Sequence, residues 1–377
     1  MNYPRKTLTT LFRNAFVLIC WSLWFGLHST NLILSDLNLA PMLLIAVLIF
    51  CSMIGCIFTV NHYADQLKEL LVEPLGTLLL TLSVAAIEVS LMLVVIFHGG
   101  NNPTMLRDTV YATLMIMLNG MIGLSLITGG WHHFEQSFNL RGSLAFLHLI
   151  APLALILLVM PNSTTTTIGP TLSPEQEIFM GGLCMLVYLL FLLMQNTRHK
   201  ALFIHKQDEV ALHYKPKPAI INNVNRKAAI TYAVFGLISS LVPVVLLAEY
   251  FGDVINYGIE ALKAPTELAA LLIAILVLAP EGLSAYRAAR TNQMQQAMNI
   301  CLGSALSTIA LTVPCVLLAA GLQNIDLTLG LFASGTTLLY ATLFTTLITL
   351  SSARTTMLQG NVHIMVFLSY LFFIFYP

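Results

Sequence analysis

Apolar residues run through this chain in long blocks, and most charged residues fall in the breaks between them. A helix needs about 20 mostly apolar residues to cross a hydrocarbon core about 30 Å thick. On that template eleven segments emerge, at roughly 14–33, 40–60, 75–97, 109–130, 144–160, 178–195, 228–249, 265–286, 299–321, 327–350 and 361–376. The fifth is short and ends at Pro161. The pattern predicts an all-α polytopic membrane protein with eleven transmembrane helices.

Composition excludes the alternative of a soluble globule. Hydrophobic residues make up 57% of the 377 and charged residues 9%, against about 25% charged in soluble domains. All six cysteines (Cys20, Cys51, Cys56, Cys184, Cys301 and Cys315) lie inside apolar runs without C-x-x-C spacing, so they read as small hydrophobes rather than a disulfide or redox framework. Arg5, Lys6 and Arg13 precede the first apolar run, as in a signal peptide, but no small-residue cleavage site comes after it. Residues 1–39 are therefore read as an N-terminal segment with the first spanning helix. Nothing in the chain points to nucleic-acid binding or to a Gly-rich phosphate cradle.

The basic residues test the helix count, because short cytoplasmic loops carry the excess of Lys and Arg. With the N-terminus inside and the C-terminus outside, only Arg107 and Lys263 of the 17 basic residues fall on the outer face. The longest break, 196–227, is polar and basic and holds Pro216 and Pro218. As a cytoplasmic loop it divides the chain into 40–195 and 228–377, each with five helices. An odd number of helices turns the second half upside down in the membrane, which is the inverted-repeat plan of many secondary transporters.

Glu88 and Glu281 sit near the middle of the third and eighth segments. A charge there costs several kcal/mol, roughly +2.5 to +3.5 for Asp, Lys or Arg on insertion scales. A bound cation or a proton offsets that cost. Each glutamate lies 13 residues beyond Leu75 or Leu268, about 20 Å along a helix, and the two helices enter from opposite faces. Both carboxylates are thus expected near the midplane, close enough to approach one another. Pro280, lacking an N–H, cannot satisfy the carbonyl of Leu276, and a freed carbonyl beside Glu281 suits a hard cation.

The segments after the glutamates share Asn-x-x-x-Gly, at Asn119–Gly123 and Asn299–Gly303, and are expected to correspond in the two repeats. Their glycines fit close helix packing. Candidate secondary ligands are Ser83, Asn119, Ser125, the Leu276 carbonyl, Asn299, Ser304 and Ser307, each equally suited to an interhelical hydrogen bond. Glu73 and Glu267 stand at helix entrances, where a carboxylate complements a helix N-terminus or attracts a cation. His199, His205 and His213 in the central loop are candidates for sensing pH. His132 and His133 have no third metal ligand nearby, and the threonines of the tenth segment read as helix packing.

The run MNICLGSALSTIALTVPCVLLAAG at 298–321 resembles the ninth helix of the calcium/proton exchangers in the calcium/cation antiporter superfamily, whose pattern is close to N-I-A-L-G-S-S-I-Q-I-A-L-F-V-x-P. The segments EPLGTLLLTLSVAAIEVSLML at 73–93 and LVLAPEGLSA at 276–285 are similar, more narrowly, to bacterial proteins described as calcium/proton and sodium-potassium/proton antiporters. The resemblance covers nearly the whole chain. It implies an antiporter of the bacterial inner membrane without a cofactor, whose partners are lipid, the transported Ca²⁺, Na⁺ or K⁺, and protons. The acidic residue of each repeat, Glu88 or Glu281, would bind them. A homo-oligomer is left open. The exchanger pattern G-N-x-x-E is replaced by Val84–Glu88 and Val277–Glu281, and its ninth-helix Gln by Ser307, so fewer oxygens surround the carboxylates. A site tuned to Ca²⁺, which takes six to eight oxygens, is thereby weakened and a strictly monovalent antiporter stays open. From other classes, an intramembrane aspartyl protease lacks its Y-D and G-x-G-D motifs here, and a passive cation channel would need no proton coupling.

Overall fold

The computed structural model describes residues 3–30, 39–71, 75–98, 102–198, 200–203, 223–323, 325–352 and 354–376. Among them eleven long helices succeed one another. These are α1 (Tyr3–Thr30), α2 (Leu39–Leu70), α3 (Leu75–His98), α4 (Met105–His133), α5 (Leu140–Leu158) and α6 (Pro174–Asn196). After the central loop come α7 (Asn223–Leu262), α8 (Glu267–Arg290), α9 (Met294–Leu322), α10 (Ala333–Ser351) and α11 (Met357–Phe375). Each contains or closely overlaps one of the eleven apolar segments, and most overrun theirs because polar residues extend the hydrogen-bond ladder beyond hydrocarbon. Nine of them, all but α1 and α3, are long and apolar enough to cross a membrane as judged on the described residues; α3 contributes the shorter apolar stretch Ala85–Val94.

The helices group into two compact units that do not respect sequence order: residues 1–102 with 218–269, and 103–217 with 270–377. The first holds α1, α2, α3 and α7. There α2 and α7 run antiparallel, since Arg226 donates to the Leu70 carbonyl at 2.8 and 3.1 Å, Tyr63 meets Tyr232 edge-on at 5.9 Å, Cys56 Sγ donates to the Ser240 carbonyl at 3.2 Å, and Phe50 stacks on Phe251 at 5.7 Å. Residue numbers rise along one helix as they fall along the other.

In the second unit the links between helices pair at two separate ends. At one end Thr328 N–H donates to Pro103 at 2.8 Å and Leu331 N–H to Leu158 at 2.8 Å, while Thr171 bridges to Thr328. Arg107 is locked there, 2% exposed, donating to Asp108 at 2.7 Å and to the Gly330 carbonyl at 3.2 Å, with Phe332 beneath its guanidinium. At the other end β1 (Gln136–Ser137) pairs antiparallel with β2 (Arg354–Thr355), Gln136 Nε2 donates to the Ala289 carbonyl at 2.9 Å, and Asn299 Nδ2 donates to the Phe203 carbonyl at 2.8 Å. Helices α4, α5 and α10 therefore each run from one end to the other, as single membrane crossings would.

Two helices carry a π-helical segment, Met115–Met121 in α4 and Thr308–Thr312 in α9. Each begins at the same offset from the preceding glutamate, from 88 to 115 and from 281 to 308, 27 residues in both. Such turns are rare and cluster at functional sites. The expected correspondence of Asn119 with Asn299 does not hold at this level. Asn119 lies inside the π segment of α4, whereas Asn299 lies in the second turn of α9, well before its π segment.

Candidate functional site: the two glutamates

Helix α8 continues unbroken through Pro280, which removes a hydrogen bond without ending the helix. Directly after Glu281 comes Gly282, and a Cβ there would stand 3.1 Å from both Sδ and Cε of Met121. The absence of that carbon lets α4 lie against α8 beside the carboxylate. Glu281 is half-buried and accepts a short hydrogen bond from Ser304 Oγ of α9. Ser307, one turn on, donates to the Ser304 carbonyl at 3.0 Å. Leu276, whose carbonyl Pro280 cannot serve, is fully buried.

Ser125 joins this neighbourhood by helical geometry. Met121 faces Gly282 of α8, and a Cβ on Gly129 would meet Met294 of α9 at 2.9 Å. Ser125 stands four residues from each, so it lies on the same stripe of α4. Its hydroxyl is buried and has no hydrogen-bond partner among the described residues. A buried hydroxyl without a partner forfeits about 1–3 kcal/mol, a deficit that a bound cation or water removes.

Glu88, on α3 in the first unit, is 4% exposed, with Ala85, Ile87, Leu91 and Met92 buried around it. Helix α3 packs on α2 and α7. The side chain of Ser83 and the whole of Glu73 lie outside the described residues. Glu267 is the first residue of α8, half-buried, with Thr266 Oγ1 at 3.4 Å, which suits the helix N-terminus.

Other candidates are occupied elsewhere. Asn119 donates to Thr342 Oγ1 at 2.8 Å and accepts from the ring of His363 at 3.3 Å, so its amide addresses α10 and α11. Asn299 accepts from Gln295 and donates to the Phe203 carbonyl, serving the end of the unit. His132 Nδ1 bonds the Thr128 carbonyl and His133 Nε2 the Arg290 carbonyl, both at 2.9 Å. His199, His205 and His213 fall outside the described residues. No cluster of three or more His, Cys, Asp or Glu side chains able to hold a resident metal occurs among the described residues.

His363 is the group that sequence reasoning missed. It lies near the start of the last apolar run but about a third of the way along α11, fully buried, and the rule that singled out the glutamates extends to it.

The comparisons with known proteins bear on this arrangement. A family model described as sodium/calcium exchanger protein matches residues 37–196 and 232–376. The chain belongs to this family. It is therefore a membrane transporter that exchanges cations, an antiporter rather than an enzyme. It is 36% identical over 318 residues, 84% of each chain, to a putative ionic transporter, y4hA, of Sinorhizobium fredii (strain NBRC 101917 / NGR234). It is 33% identical over 346 residues, 90% of this chain and 91% of the relative, to the sodium-potassium/proton antiporter ChaA of Escherichia coli (strain K12). Among solved structures, the H⁺/Ca²⁺ exchanger CAX matches with a TM-score of 0.72 at 12% identity, covering 98% of this chain and 89% of that one. Native YfkE matches at 0.69 and 15% identity, covering 89% and 92%. At such identities the structures share the fold.

Proposed function

We propose that this protein is a secondary active cation/proton antiporter of the bacterial inner membrane, exporting Ca²⁺, Na⁺ or K⁺ in exchange for protons by alternating access at Glu88 and Glu281. The observation that carries this reading is Glu281, a carboxylate inside a membrane-spanning helix, receiving the Ser304 hydroxyl, with the buried Ser125 hydroxyl, which has no hydrogen-bond partner among the described residues, on the stripe of α4 that faces α8 and α9. Burial disfavours the charged form of a carboxylate while an adjacent cation favours it. A cation and a proton therefore compete for the same oxygens, and that competition couples their fluxes.

Three further observations support the inverted repeat behind this mechanism. The family model matches in two stretches, 37–196 and 232–376, either side of the basic loop. Helices α2 and α7, which open the two repeats, run antiparallel. The two π segments keep the same distance from their glutamates. The basic loop of 196–227 supports an N-terminus inside and a C-terminus outside.

A strictly monovalent antiporter is the second reading. The loss of Gly-Asn before both glutamates favours it, as does likeness over 90% of the chain to a protein named a sodium-potassium/proton antiporter. Proton flux in everted membrane vesicles, with Ca²⁺, Na⁺ and K⁺ offered separately, tests both. Cation-dependent proton release that Glu281→Gln abolishes supports the antiporter, a response to Na⁺ and K⁺ alone selects the second reading, and no response to any cation overturns both.

A further inference from the structure

His363 of α11 is fully buried, seven residues into its helix, and both ring nitrogens are engaged: Nδ1 stands 3.3 Å from Asn119 Oδ1 and Nε2 stands 3.0 Å from Thr349 Oγ1. The direction of these bonds is set by their neighbours. Thr342 Oγ1 directs its only proton to the Leu338 carbonyl at 2.8 Å, with Met115 Sδ a longer, weaker acceptor at 3.4 Å; with that proton directed away, it receives from Asn119 Nδ2 at 2.8 Å. The carbonyl oxygen of Asn119 is thereby turned to the ring, and an amide oxygen only accepts. Nδ1 consequently carries the proton, and Nε2 accepts from Thr349. The result is a directed chain from Thr349 through His363, Asn119 and Thr342 to the Leu338 carbonyl, crossing α10, α11 and α4.

Among the described residues of the three helices at this seam, no charged side chain faces this ring. Helix α10 has no Asp, Glu, Lys, Arg or His, α11 has none but His363, and α4 has none between Asp108 and His132. Tyr111 of α4, Tyr370 of α11 and the exposed Tyr340 of α10 are the other titratable groups on these helices, and Tyr111 and Tyr370 meet each other at 5.3 Å. An imidazole with filled hydrogen bonds and no counter-ion serves as a fixed, neutral connector. It connects to the π segment of α4: Asn119 is two residues from Met121, which sits on Gly282 beside Glu281. At Gly123 an added Cβ would stand 3.0 Å from both His363 Cβ and the Gly360 carbonyl oxygen, so the helices are in backbone contact where the ring departs.

We propose that His363 is a positioning residue for the Glu281 half-site: as the neutral Nδ1–H tautomer it pins the π segment of α4, and with it the Met121–Ser125 stripe that faces α8 and α9. This inference rests on the antiporter reading and deepens it. Supporting groups of this kind change metal affinity by about 10–100-fold when removed. His363→Leu is expected to raise the cation KM about tenfold with the maximal rate held within about threefold. His363→Asn, whose amide N–H can replace Nδ1–H toward Asn119, is expected to recover most of that loss.

Three measurements test it, in purified protein reconstituted into liposomes of bacterial lipid. The imidazole ¹⁵N spectrum, assigned by difference against His363→Asn, is expected to show a protonated Nδ1 and a bare Nε2 at neutral pH; a protonated Nε2 overturns the proposal. The KM split between His363→Leu and His363→Asn is the second, and equal, unchanged KM values in both overturn it. Should His363→Leu fail to fold, the Asn119→Leu, His363→Leu pair removes both polar partners, while Thr342 and Thr349 can each bond the carbonyl one turn back. A raised KM in that protein supports positioning, and a normal KM overturns it. Failure of the antiporter reading is separately visible, as absence of cation-driven proton flux in the unsubstituted protein or normal flux in Glu281→Gln.

Discussion

Replacing Ser304 by alanine isolates its hydrogen bond to Glu281. Ser304 is 7% exposed and its hydroxyl donates to Glu281 Oε2. A hydrogen bond to a charged group contributes about 1.5–3 kcal/mol, and each 1.4 kcal/mol is about tenfold in an equilibrium constant. Glu281 is half-buried rather than sealed, so water partly replaces the lost donor and the lower end applies, about 1.5 kcal/mol. The donor favours the ionised carboxylate, which is the form that binds a cation. Its loss shifts the competition toward the proton. Ser304→Ala should therefore raise the cation KM about tenfold near pH 7, with the gap narrowing as pH rises and protons become scarce. Ser304→Thr, which keeps the hydroxyl, should stay within about threefold. Proton flux in everted vesicles, measured against cation concentration at several pH values, reads this directly. A KM in Ser304→Ala that matches the unsubstituted protein at every pH would refute the reasoning.

Ser125→Ala, which removes a hydroxyl without a protein partner among the described residues, should leave the melting temperature in detergent within about 2 °C yet raise the cation KM; a large loss of stability would show that the hydroxyl is structural. Gly360→Ala puts a Cβ 2.8 Å from the Gly123 carbonyl oxygen, and the forced separation of α4 from α11 should cost about 1–3 kcal/mol, seen as a lowered melting temperature. Arg107→Ala removes the guanidinium that pairs with the buried Asp108, a loss of about 3–5 kcal/mol. Replacing both residues with alanine should recover part of it, and no recovery would mean that the pair matters for more than charge.

The helices were legible because the bilayer imposes their length, and an apolar block of spanning length admits little else. Glu88 and Glu281 were legible for the same reason, as exceptions within those blocks. Their surroundings were not. Asn119 and Asn299 share a motif in sequence, but Asn119 lies inside the π segment of α4 and Asn299 in an early turn of α9, and the two end in different networks. His363 escapes notice because the apolar run begins at 361, which sets it near a helix end. The helix itself begins at Met357 and carries it inward, about 9 Å along the axis. The grouping of α1, α2, α3 and α7 apart from the remaining helices has no trace in local sequence, since it depends on contacts between segments far apart in the chain.

Proton-coupled uphill transport in liposomes tests the central claim most directly. With cation equal on both sides and an imposed pH gradient, the unsubstituted protein should accumulate the cation against its own gradient, and Glu88→Gln and Glu281→Gln should each abolish that accumulation while still inserting. Cation movement that only ever runs downhill, indifferent to the pH gradient or to either glutamate, would contradict it.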